Sequence, residues 1–204
     1  MSRVLILVEG QTERAIVQNV FAPILSIKGI YLYPKVVGKP GHKGGGKKFS
    51  SILHELTALL RQEPGSIVST IFDYYALPND WPGVSEACKS NEPHQIIESA
   101  TLDAVKQTMG DSFNAKRFIP YIQMHEIEAL LFAGPEKMAQ VFEDPLLAQK
   151  FESIVEQCDG CEKINKNPAT APSKRIKDIF PGYIKGSSVN SHAPRILLIS
   201  QYYT

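Results

Sequence analysis

The sequence predicts an α/β protein: a mainly parallel central sheet flanked by helices, with a small helical extension at the C-terminal end. Three observations carry this. Short, β-branched apolar runs alternate with longer segments of helical apolar spacing. The alternation repeats as strand–helix four times, and connections of that length return a chain to a parallel neighbour. Past residue 133 the strand-like runs stop and a weaker helical spacing remains, which places the α/β core at residues 1–135 and the extension at 136–204.

Residues 3–8 (RVLILV) read as a buried strand, and Glu9-Gly10 ends it. Residues 12–27 space Ala15, Ile16, Val20, Ile24 and Leu25 as a helix does. Residues 30–37 (IYLYPKVV) are a strand in which Pro34 marks an edge or a bulge. A glycine- and lysine-rich loop follows over 38–48. Residues 49–61 form a helix with Ile52, Leu53, Leu56, Leu59 and Leu60 on one face, stopped by Pro64-Gly65. Residues 66–74 (SIVSTIFDY) are a strongly apolar strand ending at Asp73, and 76–93 a long loop containing Trp81 between prolines. A helix over 94–109, a strand over 117–123 and a helix over 125–132 complete the core. Residues 136–158 are helical and 165–173 are loop.

At 204 residues, with 43% hydrophobic and 21% charged residues, the chain builds a full core and is not globally disordered. A net charge of +1 gives no global attraction to nucleic acid or membrane and leaves local basic patches open. No apolar run approaches the roughly eighteen residues of a transmembrane helix, and the first apolar run is too short for a signal peptide. Three cysteines without such a signal point to a reducing cytoplasm. Cys158 and Cys161 have zinc or redox spacing, but no second pair accompanies them, and two incidental thiols are the simpler reading.

Acidic residues recur where strands end. Glu9 follows the first strand, Asp73 ends the third, and Glu126 and Glu128 follow the fourth within HEIEALLF. In a parallel sheet these ends share one edge, where α/β sheets place their ligands. Converging carboxylates call for a cation, and hard oxygen donors suit Mg²⁺ or Mn²⁺. On a helix His125 and Glu128 share a face, which favours Glu128 over Glu126 as a ligand and makes His125 a supporting donor or a phosphate contact. Asp80 and Glu13 are further candidates. Taken singly, Asp73 is equally a cap and Asp80 a solvated turn residue.

The loop GKPGHKGGGKKFSS places Lys43, Lys47 and Lys48 among five glycines. It matches G-x-x-x-x-G-K between a strand and a helix, but Lys48 stands where a P-loop needs Ser or Thr. A basic loop that grips a phosphate backbone and a plain surface loop are the alternatives. Lys174 and Arg175, after Pro172-Ser173, form a second basic group.

Together, VEGQTE, a strand ending in Asp, FDYYALPNDWPG, HEIEALLF and APSKRI resemble an uncharacterised bacterial family, domain of unknown function 4276, and more distantly the Toprim fold of topoisomerases, primases and overcoming-lysogenization-defect nucleases. The resemblance implies a metal site with Glu9 as ligand or general acid/base and Asp73 as the first acid of an Asp-x-Asp pair. The second acid position is Tyr75 here, so Asp80 or Glu128 would have to substitute; Glu128 also resembles a glutamate of a related abortive-infection group. It further implies Mg²⁺- or Mn²⁺-dependent phosphodiester cleavage, catalysed by Glu9, Asp73 and Glu128, with Lys43, Lys47, Lys48, His125, Lys174 and Arg175 on the nucleic-acid backbone. A role in phage defence, an ATPase partner of the ABC or SMC type and an oligomer belong to the same expectation; a non-catalytic scaffold for that ATPase is the alternative. In the family pattern HAPRI runs into a further helix and a Cys-Pro-His-Phe segment, where this chain reads LLISQYYT.

Overall fold

Strand β1 (Ser2–Val8) buries its last four residues, as only a strand covered on both faces does. In the computed structural model, which describes residues 1–38, 48–164 and 170–198, it lies between β2 (Ile30–Val36) and β3 (Ile67–Asp73), parallel to both. Strands β4 (Phe118–Ile119) and β5 (Ile122–Gln123) each pair in parallel with β3, giving a five-stranded sheet of order β2-β1-β3-β4 with β5 also on β3. The α/β expectation therefore holds, with a helix closing the described chain at α9 (Ser187–Leu198).

The strand expected over 117–123 is two short ones because Pro120 has no amide to give the ladder. Thr70, fully buried on β3, repairs the gap: its Oγ1 accepts from the Tyr121 N–H (2.8 Å) and donates to the Tyr121 carbonyl (3.0 Å). Glu98 takes the next amide, that of Ile122, at 2.9 Å.

The sheet is covered on both sides. Leu5, Leu7, Val68, Phe72, Phe118 and Ile122 share one core with α3 (Phe49–Gln62) and α5 (Pro93–Met109). Ile6, Val8 and Ile71 face the other way, onto Val17 and Phe21. Those two residues belong to a continuous helical segment that opens as α1 (Gln11–Ile16), widens to π geometry over Val17–Phe21 and closes as α2 (Ala22–Ser26). Pro23 cannot donate to Asn19, and the ladder widens at that point. The loop expected over 76–93 holds a short helix, α4 (Val84–Ala87), opened by Gly83 at φ +84°. A Cβ there would lie 3.1 Å from both the Ala100 Cβ and the Ile96 carbonyl, so glycine lets α4 approach α5.

Two compact units make up the chain, Met1–Met124 and His125–Thr204, so the second takes in residues 125–135, which the sequence pattern grouped with the sheet. At its centre lies the segment expected as a helix over 125–132. It is a 3₁₀ helix, Ile127–Ala133, that begins only after Glu126, whose φ −52° and ψ 141° are not helical. Around it pack α6 (Pro135–Val141), α7 (Leu147–Gln157), α8 (Pro172–Ile179) and α9. The single helix expected over 136–158 is divided into α6 and α7 by Glu143, at φ 58°, and Pro145. Among the described residues no helix is long and apolar enough to cross a membrane.

Candidate functional site

The order β2-β1-β3 sends the chain from β1 to one side of the sheet and brings it back to the other. The helices leaving β1 and β3 therefore diverge, which makes the carboxyl ends of these two strands the topological switch point, the place where open α/β sheets bind ligands. Glu9 and Asp73 stand there. Val8 is aligned with Ile71, so Glu9 falls beside Phe72 and one step from Asp73, on strands about 4.8 Å apart.

Backbone amides fix both carboxylates. The Glu9 N–H donates to the Ile71 carbonyl at 3.3 Å, and Glu9 Oε2 accepts from the Asp73 N–H at 3.4 Å. Asp73 Oδ1 accepts from the Tyr75 N–H at 3.0 Å, an Asx turn that ends the strand. Both residues are part-buried, whereas the Tyr75 ring beyond them is 57% exposed.

The other acidic candidates of this unit serve helix starts. Glu13 reaches back one turn, and its Oε2 accepts from the Gly10 N–H at 3.0 Å, which accounts for the glutamate of the Gly-Gln-Thr-Glu stretch. Both oxygens of Asp80 accept from the Phe49 N–H, at 3.2 and 3.1 Å, so Asp80 caps α3 from a distant loop. Trp81, next to it, is 2% exposed and packed between Phe49 and Phe72, with ring centroids 5.0 Å away in each case. Its place is the core between the sheet and α3.

In the second unit, Glu128 is 1% exposed and accepts from the Tyr183 hydroxyl at 3.4 Å; burial, followed by the Glu128 charge, pushes that hydroxyl well above its ordinary range. Glu126 accepts from the Ser173 N–H at 2.9 Å, capping α8, and is paired with Lys185. Burial works to raise the Glu126 carboxyl, but the Lys185 ammonium and the Ser173 donors outweigh it and hold it below its ordinary value. His125 precedes the 3₁₀ helix, so it does not share a helical face with Glu128; its Nδ1 is buried without a partner among the described residues. On α8, Lys174 is exposed and Arg175 Nε donates to the Thr170 carbonyl at 2.9 Å. Neither Tyr183 nor Lys185 carried a sequence signal linking it to HEIEALLF.

Lys48 is exposed at the start of α3, while Lys43 and Lys47 lie outside the described residues. All three cysteines are free thiols. Among the described residues no group of three or more His, Cys, Asp or Glu side chains is gathered closely enough to hold a metal ion. The site is thus a pair of hard oxygen donors, a set that suits Mg²⁺, which keeps several waters and uses one or two carboxylates beside substrate phosphates.

A family profile described as a domain of unknown function, DUF4276, matches residues 8–199. The chain belongs to this family. No curated protein and no solved structure matches it. The DUF4276 match opens one residue before Glu9 and runs through both units, so the carboxylate pair and the HEIEALLF segment lie within it.

Proposed function

We propose that this DUF4276 protein is a Mg²⁺- or Mn²⁺-dependent phosphoryl-transfer enzyme of Toprim-like design that cleaves phosphodiester bonds in nucleic acid. The observation that carries the reading is the Glu9–Asp73 pair at the carboxyl ends of adjacent parallel strands, at the point where the strand order reverses. Glu9 and Asp73 would hold the cation, and the amides of Asp73 and Tyr75 fix the direction in which the carboxylates present their oxygens. When bound, the cation supplies Lewis acidity toward phosphoryl oxygens. The chain supplies position: two part-buried carboxylates on a rigid sheet edge need little reorganisation when charge develops on the substrate. Tyr75 in place of a second acid leaves coordination positions to water and phosphate oxygens. The phage-defence role and the ABC- or SMC-type ATPase partner follow the Toprim-like resemblance, and Tyr75 is also what favours the rival reading, a scaffold subunit of that ATPase.

Calorimetry with Mn²⁺ and Mg²⁺ tests the reading. Binding by the wild type that is weakened at least about tenfold in both Glu9→Gln and Asp73→Asn, with loss of oligonucleotide cleavage, is expected; the loss of one charged donor is worth more than the roughly 1.4 kcal/mol this represents. Equal metal binding in wild type and variants, or none in the wild type even with oligonucleotide present, would overturn it.

A further inference from the structure

Strand β2 is an edge strand, and its two faces differ. Leu32 and Val36 face the helical segment 11–26, while Tyr31, Tyr33 and Lys35 are exposed. The register shows where the exposed set lies. Tyr31 is aligned with Arg3, Tyr33 with Leu5 and Lys35 with Leu7, and Leu5 and Leu7 pack in the core with α3. Directly paired residues share a face, so Tyr31, Tyr33 and Lys35 lie on the α3 side of the sheet, beyond the flank of that helix. Tyr31 is 37% and Tyr33 47% exposed. The Arg3 guanidinium lies 4.8 Å from the centroid of the Tyr33 ring, held there by Glu63 at 2.9 Å. Next along the strand is a groove of about 550 Å³ lined by Lys35, Gly38, Ser50, Ser51, His54 and Glu55. Glu55 is turned inward there, accepting from the Gly38 N–H at 2.9 and 3.0 Å, and Ser50 and Ser51 of the first turn of α3 complete the lining.

We propose that this stripe is a stacking platform for single-stranded nucleic acid. Two rings at alternate positions of one strand, a guanidinium plane on the second ring and then a lysine are the groups that bind unpaired bases and their phosphates. The outer edge of β2 is unsuited to a protein strand. Val37 N–H donates to Val8, and amides alternate along a strand, so Pro34 falls on the outward side and removes a donor there. The platform names the substrate class of the proposed phosphodiester cleavage and rests on that reading.

Fluorescence anisotropy with labelled single-stranded and duplex oligonucleotides, in EDTA and at fixed salt, tests it. Tyr31→Ala and Tyr33→Ala each weaken single-strand binding about tenfold, the Tyr31→Phe/Tyr33→Phe pair retains it, and Lys35→Gln lowers the salt slope by about one. Thermal melts establish that the variants fold. Alanine variants within twofold of wild type, a phenylalanine pair as weak as the alanine pair, or wild-type binding that favours duplex would overturn the proposal. So would ring-dependent self-association, which would assign the stripe to a second copy of the chain. Glu9→Gln and Asp73→Asn separate this from the cleavage reading: retained ring-dependent binding in variants whose metal binding is unchanged removes the metal site and leaves the platform, and the converse removes the platform alone.

Discussion

The Thr101 hydroxyl joins Trp81 to α5 through two hydrogen bonds, and replacing Thr101 by valine tests the one that Trp81 donates. The Trp81 indole N–H donates to Thr101 Oγ1 at 2.8 Å, and Thr101 Oγ1 donates to the Ile97 carbonyl at 2.6 Å. Trp81 is 2% and Thr101 0% exposed, so water cannot replace the lost acceptor. Valine matches threonine in shape and in its cost within a helix, so Thr101→Val opens no cavity and leaves the Ile97 carbonyl its α-helical partner. What remains is a buried, unsatisfied indole N–H, a cost of about 1–3 kcal/mol. With a urea m-value of about 2–3 kcal/mol/M, the midpoint falls by roughly 0.3–1.5 M. Far-UV circular dichroism reads this in every variant, including Trp81→Phe, which lacks the one tryptophan of the chain. Trp81→Phe removes the donor, so the double variant Trp81→Phe/Thr101→Val should fall short of the summed single effects by about 1 kcal/mol. A Thr101→Val variant within about 0.5 kcal/mol of wild type, or strict additivity, would refute the assignment of Trp81 as a hydrogen-bonded core residue.

Arg117 gathers three carbonyls at the end of α3: Leu60 at 2.9 Å, Glu63 at 2.7 Å and Ser66 at 3.2 Å. Arg117→Ala should cost about 2–3 kcal/mol in urea unfolding, and Arg117→Lys should recover little of it, because a point ammonium cannot reproduce the fork. Glu126 titrates lower in the folded chain than its ordinary 4.5. Its stabilisation is therefore present above pH 4.5 and is lost as pH falls through the lower folded value; thermal melts of Glu126→Gln between about pH 3 and 6 should show a shallower acid limb than wild type.

How much of this was legible depends on how local the cause is. The β1–Glu9 boundary is local: four aliphatic residues, a carboxylate and a glycine read directly as a buried strand and its end. The break at Pro120 is local as well, since proline cannot serve a ladder, but its repair by Thr70 comes from fifty-one residues away and leaves no trace in the pattern. Distance also hid the role of Asp80. Its sequence context is a turn, and only the fold brings it to the first amide of α3. HEIEALLF misled for another reason. A dense apolar run serves an α-helix and a 3₁₀ helix alike, and the partners of Glu126, the Ser173 amide and Lys185, stand 47 and 59 residues further along the chain.

The parallel topology joins the carboxylate pair to the tyrosine stripe. Because β2 runs in the same direction as β1 and β3, the path from Tyr31 through Tyr33 to Lys35 leads toward the carboxyl edge of the sheet; an antiparallel β2 would lead away from it. Val36 is aligned with Val8, so the end of β2 lies one strand from the end of β1 and two from that of β3, about 5 and 10 Å across the sheet. The proposed binding groups and the proposed reacting groups are thus distinct, and their kinetic signatures should separate. Stacking on Tyr31 and Tyr33 is made equally in the ground and transition states, so Tyr31→Ala/Tyr33→Ala should raise KM for a single-stranded substrate with kcat nearly unchanged. If Glu9 and Asp73 hold the cation as proposed, Glu9→Gln and Asp73→Asn remove oxygens that act on developing charge and should lower kcat and kcat/KM together. A tyrosine pair that lowers kcat at constant KM would place the rings at the reacting phosphate, and the path along β2 would have to be abandoned.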